Sequence, residues 1–162
     1  MTILKFVTGL FAILLITVIP IVLKAEDICE ESTDRVEYYL TEFVEEAAQT
    51  RRVSKEMVER LFTSVACEPD IYEIGITLGI RRLVPGGGEY CVNMSTLQLT
   101  DRLSEIKDTE LDEGDTVTVS ARVVSESLFS RLARRYDSAR EGADGSICMG
   151  RRIGWGKKDE ND

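Results

Sequence analysis

The first 25 residues are dominated by one long hydrophobic stretch. Between Lys5 and Lys24 lie 18 residues without a charge, and a helix of that length rises about 27 Å, close to the thickness of the hydrocarbon core of a bilayer. A cleaved signal peptide has a shorter apolar core of about 7–15 residues and a small-x-small cleavage site. The candidate site here reads Leu23-Lys24-Ala25, with a bulky residue and a cation. We therefore predict that residues 1–25 form a membrane anchor that stays attached, in preference to a cleaved signal or a buried helix of a soluble domain.

The charges beside this stretch orient it. Lys5 and the amino terminus lie at one end, whereas Lys24 lies at the other end and is followed at once by acidic residues. Lys and Arg govern topology more than acidic residues do, and the amino-terminal charge with its short head favours an N-terminus inside. We predict a single-pass protein of the cell membrane, in contact with the lipid bilayer, whose domain at residues 26–156 is extracytoplasmic.

The helical pattern continues past the anchor without a break. Apolar residues recur at three- and four-residue spacing, which is the period of one helix face. They are Val36, Tyr39, Leu40, Phe43 and Ala47. Because residues 21–50 contain no Gly or Pro, we predict a single helix from about residue 3 to 50. Pro20 removes a backbone donor inside this helix and is predicted to bend it.

Beyond residue 50 the spacing of apolar residues changes from helical to alternating. A short second helix is predicted after Ser54, which is placed to act as its N-cap. Its apolar residues are Met57, Val58, Leu61, Phe62 and Val65. Residues 70–84 then alternate apolar and polar side chains, the period of a strand with one buried face. The glycine-rich residues 85–88 break this strand, and the sequence EYCVNM after them predicts the return strand of a hairpin.

The last third of the chain repeats this change of period on shorter segments. A short helix is predicted with Thr100 as its cap, then a turn at residues 113–115 and a strand in which Val117 to Val123 alternate. A further helix and a last strand precede a tail, residues 157–162, that is too polar to fold alone. The apolar residues of that further helix are Leu128, Phe129 and Leu132. The predicted fold class is α+β, with a long N-terminal helix, transmembrane and then amphipathic, packed against a small antiparallel sheet with short helices.

The charge of the chain excludes one class of partner. All 29 acidic residues lie beyond residue 25 with 18 of the basic residues, so this part carries a net charge of −11. A nucleic-acid partner requires a basic face and is not predicted. The acidic residues include Glu42, Glu45 and Glu46 on the long helix, and the late basic residues include Arg131, Arg134, Arg135, Arg151 and Arg152. We predict that these groups meet within or between subunits, and the alternative is an ordinary solvated surface.

The cysteines and the absence of histidine limit the chemistry. Cys29, Cys67, Cys91 and Cys148 form no C-x-x-C pair and the chain has no histidine, so zinc and His-dependent nucleophiles are not favoured. An even number of cysteines outside a membrane predicts two disulfides, with three possible pairings, and the alternative is four buried thiols. The acidic segment 108–115 departs from the EF-hand pattern and is interpreted as a solvated turn. We predict no enzyme, no metal, no cofactor and no small-molecule substrate.

One family resembles this arrangement. An apolar segment that runs into an amphipathic helix and then into a small antiparallel sheet resembles type IV pilin-like proteins. The stretch VEYYLTEFVEEAAQTRRVSKEMVERLF looks like the region after the anchor in TadE-like proteins of tight-adherence systems from Gram-positive bacteria, and DIYEIGI and EGDTVTVSARV look like their strands. The resemblance covers about residues 1–125. It implies a minor pilin or pseudopilin of a pilus or secretion apparatus, with other pilin-like subunits or assembly-platform membrane proteins as partners.

The leader sequence sets the kind of subunit that the resemblance implies. Pilins carry a leader that ends in Gly and a Glu at the fifth mature position, whereas the fifth residue after Gly9 is Leu14. The resemblance therefore implies a minor subunit or assembly component and not the major fibre subunit.

Assembly through the long helix would use small residues on its apolar half, since they allow other helices to approach closely. Gly9, Ala12 and Thr17, with Thr8, are the candidates. Two other functions are weighed against this one. An anchored extracytoplasmic binding or sensory module would have a deep pocket and a hinge after the anchor, and an anchored hydrolase would have two convergent acids in a cleft.

Overall fold

One helix organises the molecule. The structure, a computed structural model, describes residues 2–84, 88–105, 108–136 and 146–154. Helix α1 runs over Thr2–Thr50 and passes through Pro20 without interruption, so the prediction of a single helix is confirmed and a bend at Pro20 stays a prediction. The predicted polar tail at 157–162 and residues 85–87 of the hairpin tip lie outside the described residues.

Nine further elements follow α1 in the described part of the chain. They are β1 (Arg52–Ser54), α2 (Lys55–Ala66), β2 (Ile71–Val84), β3 (Gly88–Met94), α3 (Thr96–Glu105), β4 (Asp108–Glu110), β5 (Thr116–Ser125), α4 (Leu128–Tyr136) and β6 (Ser146–Arg152). Four strands form an antiparallel sheet in the order β3-β2-β5-β6, and β1 pairs with β4 in a second, two-stranded sheet. The chain is therefore an α+β protein with a long N-terminal helix packed against antiparallel sheets.

The core lies between the second half of α1 and one face of the larger sheet. The alternation in β2 and β5 places one set of side chains on this face, as the sequence predicts. The buried strand residues are Ile74, Ile76, Leu78, Ile80, Val117, Val119 and Ala121. They form one cluster with Val36, Leu40, Phe43, Val44 and Ala47 of α1 and with Met57, Val58, Leu61 and Val65 of α2. Phe62 was predicted on the apolar face of α2, but it lies at the edge of that face and is 38% exposed.

Local hydrogen bonds from side chains mark the first residues of α2 and α3. Ser54 caps α2 as predicted, because its hydroxyl accepts the backbone N–H of Met57 at 3.2 Å. The predicted cap at Thr100 is wrong, since α3 begins four residues earlier at Thr96. There the side-chain oxygen of Gln98 accepts the backbone N–H of Ser95 at 3.1 Å, one half of a capping box.

The two-stranded sheet was not predicted. Each of its strands has three residues, which is too short to show a two-residue period. The sheet begins where α1 ends, at Arg51, whose φ of 53° lies in the left-handed region that commonly terminates helices. The Arg51 carbonyl then accepts the N–H of Leu111 at 2.8 Å, so a tertiary contact holds this turn.

The turn before β5 is built around a buried carboxylate. Gly114 adopts a φ of +94°, which favours glycine. Asp115 is 1% exposed, and its two oxygens accept the backbone N–H of Arg81 at 2.7 Å and of Asp112 at 2.9 Å. The interpretation of segment 108–115 as a solvated turn is therefore wrong for Asp115.

The four cysteines are all described and form no disulfide in this structure. The predicted pair of bridges is not reproduced, and the sheet order excludes one of the possible cysteine pairs. Cys91 and Cys148 lie in opposite edge strands, three strand spacings or about 14 Å apart across the sheet. They are also offset along the strands, because Cys91 pairs with Arg81 whereas Cys148 is level with Gly75, so their separation is beyond the reach of a disulfide. The alternative of four buried thiols is also wrong, because Cys67, Cys91 and Cys148 are exposed.

Candidate functional site

The first half of α1 exposes apolar side chains, and we call its uncharged run between Lys5 and Lys24 the apolar rod. Its most apolar 18-residue window has a mean hydropathy of 2.4, and none of that window is buried inside the molecule. By length and composition the helix is compatible with a membrane span. Large side chains such as Phe11, Ile13 and Ile16 are 62–71% exposed, and in water such a surface would be strongly unfavourable.

The predicted close-packing residues lie on this rod. Gly9, Ala12 and Thr17 are exposed, and nothing lies within 4 Å of the position that a Cβ of Gly9 would take. The Thr17 hydroxyl donates to the carbonyl oxygens of Ile13 at 3.0 Å and Leu14 at 3.1 Å. Its polar atom is thus satisfied within the helix, as an apolar environment requires.

The second half of α1 carries the predicted acidic residues, and two of them have partners within the chain. The Glu46 carboxylate accepts from Arg60 of α2 at 3.0 Å, a partner that the sequence did not suggest. Glu45 pairs loosely with Arg151 of β6 at 3.8 Å, one of the five arginines predicted for this role. Glu42 is exposed, so this acidic surface remains open to a further cation.

The basic helix α4 packs against α1. Its first turn is held by Asp70, whose carboxylate accepts the backbone N–H of Ser127 at 2.7 Å and the Ser130 hydroxyl at 2.7 Å. Arg131 is exposed on this helix, and the side chains of Arg134 and Arg135 lie outside the described residues. Pairing of these three arginines with the acidic half of α1, within the chain or between subunits, stays a prediction.

A polar cluster that the sequence analysis missed joins α1 to the domain. We call Ser32, Arg35, Glu68 and Tyr72 the junction cluster. Arg35 donates to both carboxylate oxygens of Glu68, with Nε–Oε1 and Nη2–Oε2 distances of 2.9 Å. The Ser32 hydroxyl donates to Oε2 at 2.9 Å, and Tyr72 lies beside Ser32. Helix α1 is thereby fastened to the segment between α2 and β2.

The electrostatics of this cluster favour the ion pair. Only 4% of the Glu68 side chain is exposed, and burial alone would raise the pKa of its carboxyl group. The hydrogen bonds from Arg35 and Ser32 outweigh burial and lower that pKa below its ordinary value of 4.5. The bidentate pair likewise raises the pKa of Arg35. A Ser and an Arg three residues apart on a helix carry no sequence signal for this contact, because Glu68 lies 33 residues beyond Arg35.

An open groove of about 450 Å³ lies between α3 and the outer face of the larger sheet. Its lining includes Glu73, Thr96, Leu97, Asp101 and Arg122. Glu73 and Arg122 are cross-strand neighbours in the register of β2 and β5. Among the described residues no group of three or more acidic or sulfur ligands is placed to hold a metal ion.

The chain matches no family model, no curated protein and no solved structure.

Proposed function

We propose that this chain is a membrane-anchored, pilin-like structural or assembly component of a tight-adherence-type pilus or secretion apparatus. The observation that carries the proposal is the continuity of α1. Its first half is apolar and exposed, and its second half is the central helix of the domain core. A helix of this kind can pack against other apolar helices while it holds the domain at a fixed position above them. The partners are other pilin-like subunits or the membrane proteins of the assembly platform.

The junction cluster supports assembly over sensing. A sensory module would use a movable connection between anchor and domain, whereas Arg35 and Ser32 fasten α1 to Glu68 beyond the anchor. A rigid connection suits a subunit that must keep one orientation in an ordered assembly. The alternative function, an anchored binding module, is favoured only by the open groove, whose volume lies within the usual range of ligand sites.

The first prediction concerns topology. Protease added to spheroplasts is expected to digest the domain at residues 26–162, and the purified protein is expected to begin near Met1, because the anchor is retained. Immunoblotting and mass spectrometry of the intact chain measure both results. A mature start at Glu26 would contradict the anchor, and one at Leu10 would indicate processing of the pilin type.

The second prediction concerns the acidic half of α1. Reversal of Glu42, Glu45 and Glu46 to Lys together is expected to weaken crosslinking of the chain to its neighbours in whole cells. The effect should diminish as salt rises, because salt screens exposed charges. One reversal alone should do little, since an exposed ion pair is worth about 0–1 kcal/mol.

A matched control carries the same change of charge on another surface. Glu56, Glu59 and Asp101 are exposed on α2 and α3, and their reversal to Lys should leave crosslinking intact. Equal crosslinking in both triple variants would assign the acidic half of α1 to solvated surface. A chain that crosslinks to no membrane protein at all would favour the binding module.

A further inference from the structure

Exposed apolar side chains gather at one end of the domain. Beyond residue 23 the described chain has ten large apolar or aromatic residues that are exposed, and five of them lie where β2 begins, β5 ends and α4 follows. We call these five the basal patch: Ile71 at 62% exposed, Val124 at 63%, Leu128 at 74%, Phe129 at 45% and Leu132 at 36%. The α4 residues among them were predicted only as the apolar residues of a helix. Among the α4 side chains that the structure describes, the buried ones are instead Ser130 and Ala133.

The basal patch lies at the end of the domain from which the apolar rod projects. Glu68, three residues before β2, accepts the Ser32 hydroxyl at 2.9 Å, and Tyr72, the second residue of β2, lies beside Ser32, so this end of the sheet is level with Ser32 on α1. Helix α4 packs along α1, and Ala25 is the first residue of α1 to be fully buried. From Ser32 back to Lys24, where the uncharged run ends, α1 descends only about 12 Å.

That separation exceeds one headgroup layer by only a few ångströms. The whole bilayer is about 40–45 Å thick around a hydrocarbon core of about 30 Å, which leaves about 5–8 Å of headgroups on each side. Ordinary helix tilt brings one side of the domain closer to this layer. If the apolar half of α1 spans the core, the basal patch therefore faces the lipid surface. Helix α4 also has the composition of an interfacial helix, with Leu and Phe on one face and Arg131, Arg134 and Arg135 at the other positions.

We propose that the basal patch inserts into the headgroup region of the bilayer in which α1 is anchored, so that the domain has a second, interfacial attachment beside its membrane span. This inference rests on the proposed membrane anchorage. The occupant is the phospholipid surface because the patch lies at the end of the domain from which the apolar rod projects, and because α4 combines apolar with basic residues. Insertion of Leu128, Phe129 and Leu132 together with the junction cluster would set the tilt of the domain before any partner binds.

The test uses the full chain reconstituted in phosphatidylcholine vesicles at high dilution in lipid. The single native tryptophan, Trp155, is replaced by Phe, and a new tryptophan is placed at the patch as Phe129→Trp or, in a second variant, Leu132→Trp. The control variant is Tyr90→Trp, which is also an exposed aromatic position. Tyr90 pairs with Arg82, 11 residues and about 36 Å along β2 from Ile71.

We expect that bromine-labelled phosphatidylcholine lowers the fluorescence of the two patch tryptophans by about twofold, because an interfacial helix buries its apolar face about 5–10 Å deep. The Tyr90→Trp fluorescence should not change. Adding Leu128→Glu to the Leu132→Trp variant should abolish the quenching and leave the chain inserted.

The outcomes separate this inference from the proposed anchorage. An inserted chain whose patch tryptophans are quenched no more than Tyr90→Trp would overturn the interfacial attachment and leave the anchor intact. Patch fluorescence that changes only at high protein-to-lipid ratios would overturn it in favour of a second copy of the chain. A chain that alkaline carbonate extracts from the vesicles would overturn the anchorage, and the inference with it.

Discussion

Replacement of Asp115 by Ala is expected to lower the free energy of unfolding of the domain by about 3 kcal/mol, because two backbone donors lose a charged acceptor. The Asp115 carboxylate is buried and accepts the N–H of Arg81 in β2 and that of Asp112 in the turn before β5. Its backbone carbonyl also accepts the N–H of Ile153 after β6 at 2.8 Å. Three parts of the chain therefore meet at this residue, and no other acceptor replaces its side chain in the variant.

The matched control for this prediction is Asp112→Ala. The Asp112 side chain is 78% exposed and pairs with Arg82 at 3.4 Å, so its loss should change the free energy of unfolding by less than about 1 kcal/mol. Guanidinium titration of the detergent-solubilised full chain, followed by intrinsic fluorescence, measures both variants. Equal midpoints for the two variants would show that the Asp115 carboxylate does not hold the turn.

Replacement of Glu68 by Gln is expected to loosen the junction between α1 and the domain. Gln keeps the size of the side chain but removes the charge that Arg35 and Ser32 share. Ser32 is 3% exposed, and a poorly satisfied donor at such a site costs about 1–3 kcal/mol. The measurement is the same denaturant titration at pH 7.

The pH dependence of this variant has a definite sign. The folded-state pKa of Glu68 is lower than its ordinary value of 4.5. Its contribution to the free energy of unfolding is therefore fully present above about pH 4.5 and is lost as the pH falls through the folded-state pKa. The difference between the native chain and the Glu68→Gln variant should narrow on acidification. A constant difference from pH 7 to pH 3 would contradict the assignment of an ionised, hydrogen-bonded carboxylate.

The control for the junction is Glu31→Gln, which changes an acid that contacts the same arginine. Glu31 lies 2.9 Å from Nη1 of Arg35, but its side chain is 71% exposed. Solvent screens such a pair, so this variant should keep the native stability within about 1 kcal/mol. A loss as large as that of Glu68→Gln would mean that the charge of Arg35, and not its bidentate contact with Glu68, holds the junction.

A weakened junction also bears on the proposed function. If α1 positions the domain for assembly, then Glu68→Gln should reduce crosslinking between neighbouring subunits while the chain stays in the membrane. The basal patch would act on the same property, because lipid contact and the junction cluster both restrain the angle between α1 and the domain. The residues of α1 in the junction cluster lie about 12–17 Å from the end of the apolar run, measured along the helix.

The elements that depend on local periodicity were determined by the sequence alone. The unbroken helical spacing predicted α1, and the alternation in β2 and β5 predicted both strands and their buried faces, because burial of one face selects a side-chain period of 3.6 or 2. The start of α2 at Ser54 was also predicted, since a cap bonds within four residues of itself. These features need only neighbours in the chain.

The remaining features were decided by contacts between distant segments. Glu68 and Asp115 each accept at least one hydrogen bond from a donor 33 or more residues away, so a sequence rich in acids does not distinguish these two from solvated ones. The strand order separates Cys91 from Cys148 by the width of the sheet, which no spacing of cysteines reveals. Helix α4 turns Ser130 and Ala133 toward the interior and Leu128 outward, because Asp70 binds its first turn and fixes its rotation. The sequence by itself therefore determined the elements and their apolar faces. The tertiary structure decided which polar groups are buried and which apolar face stays exposed. The reason is that local periodicity forms each element, whereas long-range hydrogen bonds set its orientation in the fold.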